Sequence, residues 1–134
     1  MIKVERIDHL NMGVISLKET TEFYHKLFGF EVLENGVSQH SGADYAIIGR
    51  SGHGVLCIYE RGHSSKVVND YKDAKVYHWG FHVENFNEAF DAIKELGVEY
   101  QYGGPVDQGG SRSLYIYDNN GYEIEIAEKL AGGL

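Results

Sequence analysis

Apolar residues along this chain run through the same succession of periods twice. In His9-Leu-Asn-Met-Gly-Val14 every second residue is apolar (Leu10, Met12, Val14), the pattern of a strand with one buried face. His78-Trp-Gly-Phe-His-Val83 repeats it with Trp79, Phe81 and Val83. After each run the period lengthens. Leu17, Thr20, Tyr24, Leu27 and Phe28 recur at helical spacing, and so do Phe86, Ala89, Phe90, Ile93 and Leu96. Ser16-x-x-Glu19 and Asn85-x-x-Glu88 stand ahead of these stripes as helix-start signals, the cap side chain accepting from a first-turn N–H. Gly29 and Gly97 fall where a left-handed residue ends a helix. Short strands are predicted next at 30–33, 45–48 and 55–60 in the first repeat. In the second they are predicted at 98–102, 113–117 and 123–127, with glycine-rich turns between them.

Each repeat therefore reads strand, helix, strand, strand, strand. The expected fold is α+β: two βαβββ modules, 1–62 and 76–134, joined by a polar linker at 63–75 that has no clear period. A module of this size has one helix to cover one face of its sheet and is marginal alone. The expectation is a single domain, 1–134, in which the modules pair their sheets into a cupped open barrel.

Strand parity assigns the faces. With Leu10, Met12 and Val14 under the helix, His9, Asn11 and Gly13 point the other way, into the expected cup. By the same rule His78, Gly80 and His82 point inward from their strand, and Glu123 and Glu125 from the last. His9 and His78 open equivalent strands, so approximate two-fold symmetry would bring them together. Two imidazoles and one carboxylate are a ligand set for a divalent metal with positions left open. His82 and Glu123 share the ligand faces one pleat away. His25, His40, His53 and His63 lie in helix or loop and take no part in this reading.

The whole-chain numbers narrow the partners. A formal charge of −8 argues against nucleic acid, whose phosphates need clustered Lys and Arg, and against an anionic membrane surface. No apolar run approaches the roughly 20 residues that cross a bilayer. The single cysteine, Cys57, has no internal disulfide partner, and no apolar leader precedes the first strand, so the expected compartment is the cytoplasm. A small molecule is the expected partner.

Three segments carry a family resemblance: Ile7-Asp-His-Leu10, Tyr77-His-Trp-Gly-Phe-His-Val83, and Leu114-Tyr-Ile-Tyr-Asp-Asn-Asn-Gly-Tyr-Glu-Ile-Glu-Ile126. Together they resemble the vicinal oxygen chelate superfamily, which includes glyoxalase I, fosfomycin-resistance proteins, extradiol dioxygenases, methylmalonyl-CoA epimerase and bleomycin-resistance proteins. The resemblance implies a glyoxalase-like fold, His9, His78 and Glu125 as ligands of a divalent ion (zinc, nickel, manganese or iron(II)), and a homodimer. Tyr115 falls where the fosfomycin and extradiol branches carry a substrate-contacting tyrosine. The tail, with Gly104-Pro-Val and Gly121-Tyr-Glu-Ile-Glu-Ile-Ala-Glu-Lys129, is most similar to bacterial glyoxalase I. Where that enzyme adds a fourth ligand that also serves as base, this chain offers Cys57 or Ile58, with Glu60 two or three residues further on. Val106 stands where the ring-cleaving branch has a histidine. The implied activities are a glyoxalase-like lyase or isomerase first, then a fosfomycin-type thiol transferase, then an extradiol-type dioxygenase. A bleomycin-resistance-like binding protein is the non-enzymatic alternative.

Overall fold

The computed structural model describes residues 1–50, 52–107 and 109–129 and divides into two compact units, Met1–Ser65 and Lys66–Leu134. In the first unit β1 (Leu10–Val14) leads to α1 (Leu17–Phe28), then β2 (Glu31–Val37), β3 (Asp44–Arg50) and β4 (His53–Glu60). The strands form one mixed sheet in the order β1-β4-β3-β2, with β1 parallel to β4 and the other pairs antiparallel. Ser16 caps α1 by accepting from the Glu19 N–H, and Gly29 ends the helix at φ 65°. The alternation read from the sequence sets the core: Met12, Val14, Ala46, Ile48, Leu56 and Ile58 are buried together with Thr20 and Tyr24 of α1. The Tyr24 ring stacks on Phe30 with centroids 6.1 Å apart.

The second unit repeats the plan with β5 (His78–His82), α2 (Phe86–Glu95), β6 (Val106–Asp107), β7 (Arg112–Tyr117) and β8 (Glu123–Ala127). Its order is β5-β8-β7-β6, and β5 is parallel to β8. Asn85 caps α2 through the Glu88 N–H, and the Glu88 carboxylate accepts from the Asn85 amide at 2.7 Å. Phe86, Ile93, Leu114, Ile116, Ile124 and Ile126 form the core. Both sheets are thus four-stranded and covered by one helix, as the sequence pattern predicts, and the structure adds that both are mixed.

One strand is displaced from its expected place. Residues 98–102 make only a single bridge, Tyr100 to Ile116, and the strand after α2 is the two-residue β6. Tyr102, Gly103 and Gly104 have φ of 56°, 73° and 136°, three successive left-handed values that no strand accommodates. Strand propensity in Val98–Tyr102 yields to a turn closed by the Gly104 N–H on the Gln101 carbonyl at 3.2 Å.

Residues 66–77, most of the segment read as a joining linker, pack on the second unit. The Val67 N–H donates to the Asn120 carbonyl at 2.8 Å, Asn69 donates to the Tyr77 carbonyl at 2.9 Å, and Lys75 pairs with Asp70 at 2.8 Å. No helix among the described residues is long and apolar enough to cross a membrane.

Candidate functional site

His78 opens β5 directly beside Glu123 of β8, and Glu125 stands two residues on, opposite Gly80. Because the period of a strand is two, Glu123 and Glu125 share one face while Ile124 and Ile126 go under α2. The two glutamates meet opposite edges of one imidazole: His78 Nε2 lies 3.2 Å from Glu125 Oε2, and Nδ1 lies 3.5 Å from Glu123 Oε1. Nδ1 is buried without a well-formed hydrogen bond, an uncommon state for a polar atom. Ser113, fully buried on β7, donates to the other oxygen of Glu125 at 2.5 Å and fixes its rotamer.

Glu123 is 1% exposed, and a carboxylate so buried needs partners. Tyr71 supplies them, its hydroxyl lying 2.8 Å from one carboxylate oxygen and 2.6 Å from the other, with the Asn69 amide 3.4 Å away. Burial first, and then the hydrogen bond to Glu123, hold the Tyr71 phenol far above its ordinary range, so it remains a donor.

Tyr115 is the cross-strand neighbour of Glu125, and its ring meets His78 edge-on at 5.5 Å and Tyr102 edge-on at 5.4 Å. Tyr71, His78, Tyr102, Val106, Tyr115 and Glu123 line a cavity of about 470 Å³ within the second unit. Among the described residues Tyr71 and Tyr102 alone are non-glycine residues with positive φ, at 55° and 56°. Both line this cavity. Strained backbone of this kind concentrates at functional sites.

His9 lies in the other unit, just ahead of β1, half-exposed and with Nδ1 held by Asp8 at 2.8 Å. That hydrogen bond, then the charge of His9, pull the Asp8 carboxyl below its ordinary range. Cys57 is paired in register with Asn11, just as Glu125 is paired with Gly80, so it holds in the first repeat the place that Glu125 holds in the second. Ile58 is fully buried in the core. Glu60 accepts from the Leu17 N–H at 2.8 Å and is committed to the N-terminus of α1. Of the three residues considered for a fourth ligand, only Cys57 has the ligand-side position. Burial, then the negative charges of Asp8 and Glu34, raise its thiol above the ordinary value.

The chemistry of the His78–Glu125 pair suits a divalent ion. Ligand atoms bonded at about 2.1 Å in adjacent coordination positions stand about 3.0–3.4 Å apart, and Nε2 and Oε2 are 3.2 Å apart. Carboxylates on the Nδ1 side of both His9 and His78 match the outer partners that orient metal-binding imidazoles. Among the described residues, no group of three or more His, Cys, Asp or Glu side chains is arranged to hold a metal ion. Of the sequence-derived set, His78, Glu125 and Tyr115 come together in one unit, with His9 in the other. Sequence reasoning kept Glu123 outside the ligand set and gave Tyr71 and Tyr102 no role. Tyr71 sits in an aperiodic segment, and the only signal at Tyr102 is the Gly-Gly that follows it.

Comparison with known proteins places this architecture. The chain is 25% identical over 130 residues to lactoylglutathione lyase of Escherichia coli O157:H7, covering 96% of each. A glyoxalase family protein from Enterococcus faecalis superposes with a TM-score of 0.77 at 21% identity, over 92% of this chain and 98% of that one. The fosfomycin resistance protein FosX of Listeria monocytogenes superposes with a TM-score of 0.73 at 26% identity, over 98% of this chain and 100% of that one. In another crystal structure that protein is complexed with Mn(II) and sulfate (TM-score 0.68, 20% identity, 96% of each chain). A sequence model of one family matches residues 6–126, nearly the whole chain, and with it the two βαβββ units. The chain belongs to the Glyoxalase/Bleomycin resistance protein/Dioxygenase superfamily.

Proposed function

We propose that this protein is a divalent-metal-dependent enzyme acting on a small oxygen-bearing molecule, with His78 and Glu125 as two protein ligands. His9, the counterpart of His78 in the first repeat, is the third. The observation that carries this reading is the 3.2 Å approach of His78 Nε2 to Glu125 Oε2 beside a tyrosine-walled cavity. When bound, the ion acts as a Lewis acid toward substrate oxygens. The chain's own residues do the rest. Ser113 holds one Glu125 oxygen and leaves the other facing His78 Nε2, while Tyr115, Tyr102 and Val106 line the cavity that would receive the substrate.

Cys57 discriminates between reactions. Isomerisation of a glutathione hemithioacetal moves a proton between carbons and needs a base, and where the second repeat has the Glu125 carboxylate the first has Cys57. This favours addition of a nucleophile to a small electrophile, the fosfomycin-type reaction, over the glyoxalase-like one ranked first on sequence. The likeness to lactoylglutathione lyase supports keeping glyoxalase-like isomerisation as the second reading.

The test is metal binding followed by assay. Wild-type chain should take up stoichiometric zinc or manganese, and His9→Ala, His78→Ala and Glu125→Ala should each abolish it while keeping the far-ultraviolet circular dichroism of the fold. His53→Ala, at the start of β4, should change neither. A triple His9/His78/Glu125 alanine variant with full metal content would refute the ligand set. Absence of metal from the wild type would leave the metal-free binding protein as the better account.

A further inference from the structure

We propose that Tyr71 is a positioning residue for the metal site, acting through Glu123 on His78; this rests on the metal reading above. The chain of contacts is continuous. The Tyr71 hydroxyl lies within hydrogen-bonding distance of both oxygens of Glu123, at 2.8 and 2.6 Å, and Glu123 Oε1 faces His78 Nδ1 at 3.5 Å. On the opposite edge of the ring, Nε2 faces Glu125. A carboxylate on the Nδ1 side favours the tautomer with its proton there, leaving the Nε2 lone pair for an ion. Buried at 1% exposure, Glu123 can serve this purpose only while its own charge is satisfied, and Tyr71 is its closest donor.

The segment around Tyr71 is built to hold that hydroxyl in place. Tyr71 has φ 55°, a conformation an aromatic residue rarely adopts and retains only when its neighbours enforce it. They do so from several directions. Asp70 accepts from the Lys72 N–H at 3.3 Å and from Lys75 at 2.8 Å, and the Tyr77 ring packs on Tyr71 with centroids 4.9 Å apart. The Tyr77 hydroxyl donates to the Asp73 carbonyl at 2.8 Å, and the Asn69 amide donates to the Tyr77 carbonyl. Packing alone would not require this strained backbone, since Tyr71 remains 47% exposed. What the strain secures is the phenol–carboxylate contact.

Tyr71→Phe removes the hydroxyl and keeps the ring. Glu123→Gln puts an amide, which can donate to Nδ1, in place of the acceptor. Both should weaken zinc binding by about ten- to a hundredfold, the usual effect of losing an outer partner of a ligating imidazole. Tyr77→Phe is the control: it keeps the ring that packs on Tyr71 and loses a hydroxyl that donates only to backbone carbonyls of the segment, Asp73 at 2.8 Å and Tyr71 at 3.4 Å. The phenol–carboxylate contact stays, so zinc affinity should remain within about twofold of wild type. Competition titration against a chromophoric chelator gives the affinities, and thermal melts of the metal-free chains report general loosening of the segment. Cobalt(II) absorption adds a reading of ligand geometry, which should change in Tyr71→Phe and not in Tyr77→Phe. If the wild type binds zinc and Tyr71→Phe binds it equally well with the same cobalt spectrum, Tyr71 has no positioning role and the metal reading survives. Equal weakening by Tyr71→Phe and Tyr77→Phe also overturns the proposal, since it would then be the segment and not the hydroxyl that matters. If the wild type binds no metal, both fall together.

Discussion

Arg112 joins three parts of the second unit through one guanidinium. It meets the Glu128 carboxylate at both oxygens, 3.1 and 2.6 Å away, donates to Asn87 at 2.9 Å, and lies 4.6 Å over the Phe86 ring. The hydrogen bonds from Arg112 hold the Glu128 carboxyl down at about 2, against an ordinary 4.5. A depressed carboxyl stabilises the fold above its unfolded-state value and loses that contribution as pH falls through the folded one. Glu128→Gln should therefore melt below wild type at pH 7, and the gap should close as pH falls from about 4.5 to 2. Melting temperature against pH is the measurement; a gap independent of pH would mean that the ion pair contributes nothing. At this scale the sequence reveals types and faces but not partners. Parity was enough to put Glu123 and Glu125 on one face with His78. That Glu123 serves one edge of the ring and Glu125 the other depends on side-chain reach, and Tyr71 depends on a tertiary contact across 52 residues of chain. No periodicity encodes such a contact.

Helices and strands follow from local signals wherever one face is buried. Ser16 and Asn85 cap the helices as the S-x-x-E and N-x-x-E patterns predict, and β7 and β8 lie where alternation put them. The pattern fails where backbone conformation overrules it, at Tyr102–Gly104, and where burial is one-sided for other reasons. β2 extends to Val37 with every residue exposed, so apolar alternation could not mark its end. The Asp118–Gly121 turn shows what glycine contributes to element placement. Asp118 accepts from the Asn120 and Tyr122 N–H groups at 2.8 and 2.9 Å, and Gly121 sits at φ 88°. A Cβ at Gly121 would overlap the Val67 carbonyl oxygen, while one at Gly29, φ 65°, would meet nothing within 4 Å. Gly29→Ala therefore bears conformational strain alone, about 1 kcal/mol. Gly121→Ala bears the strain and also displaces the segment that carries Tyr71, for a loss of about 2–3 kcal/mol. Urea melts should rank them in that order. Equal losses would show that the 66–77 segment does not rest on this turn.

For the whole molecule the open question is what covers its exposed apolar surface. Ile2, Val4 and Ile7, ahead of β1, are 89%, 80% and 84% exposed, and residues 1–9 belong to no strand. Within its own sheet β1 is an edge strand, as is β5. Three strongly exposed apolar residues within one six-residue segment make a candidate association surface. A charge of −8 weighs against nucleic acid as the partner, and a second copy of the chain is self-complementary without any further component. We therefore expect a homodimer, in line with the resemblance to the glyoxalase and fosfomycin branches. Like-charged chains repel, so the dimer must rest on apolar contact and tighten as salt screens that repulsion. Sedimentation equilibrium at micromolar concentration should return twice the 15.1 kDa chain mass. The association constant should rise with added sodium chloride, and an Ile2/Val4/Ile7 triple serine variant should move toward monomer without changing its circular dichroism. A wild-type chain that sediments as a monomer at every salt concentration would rule out the dimer. A dimer indifferent to the triple substitution would locate the contact elsewhere than the arm preceding β1.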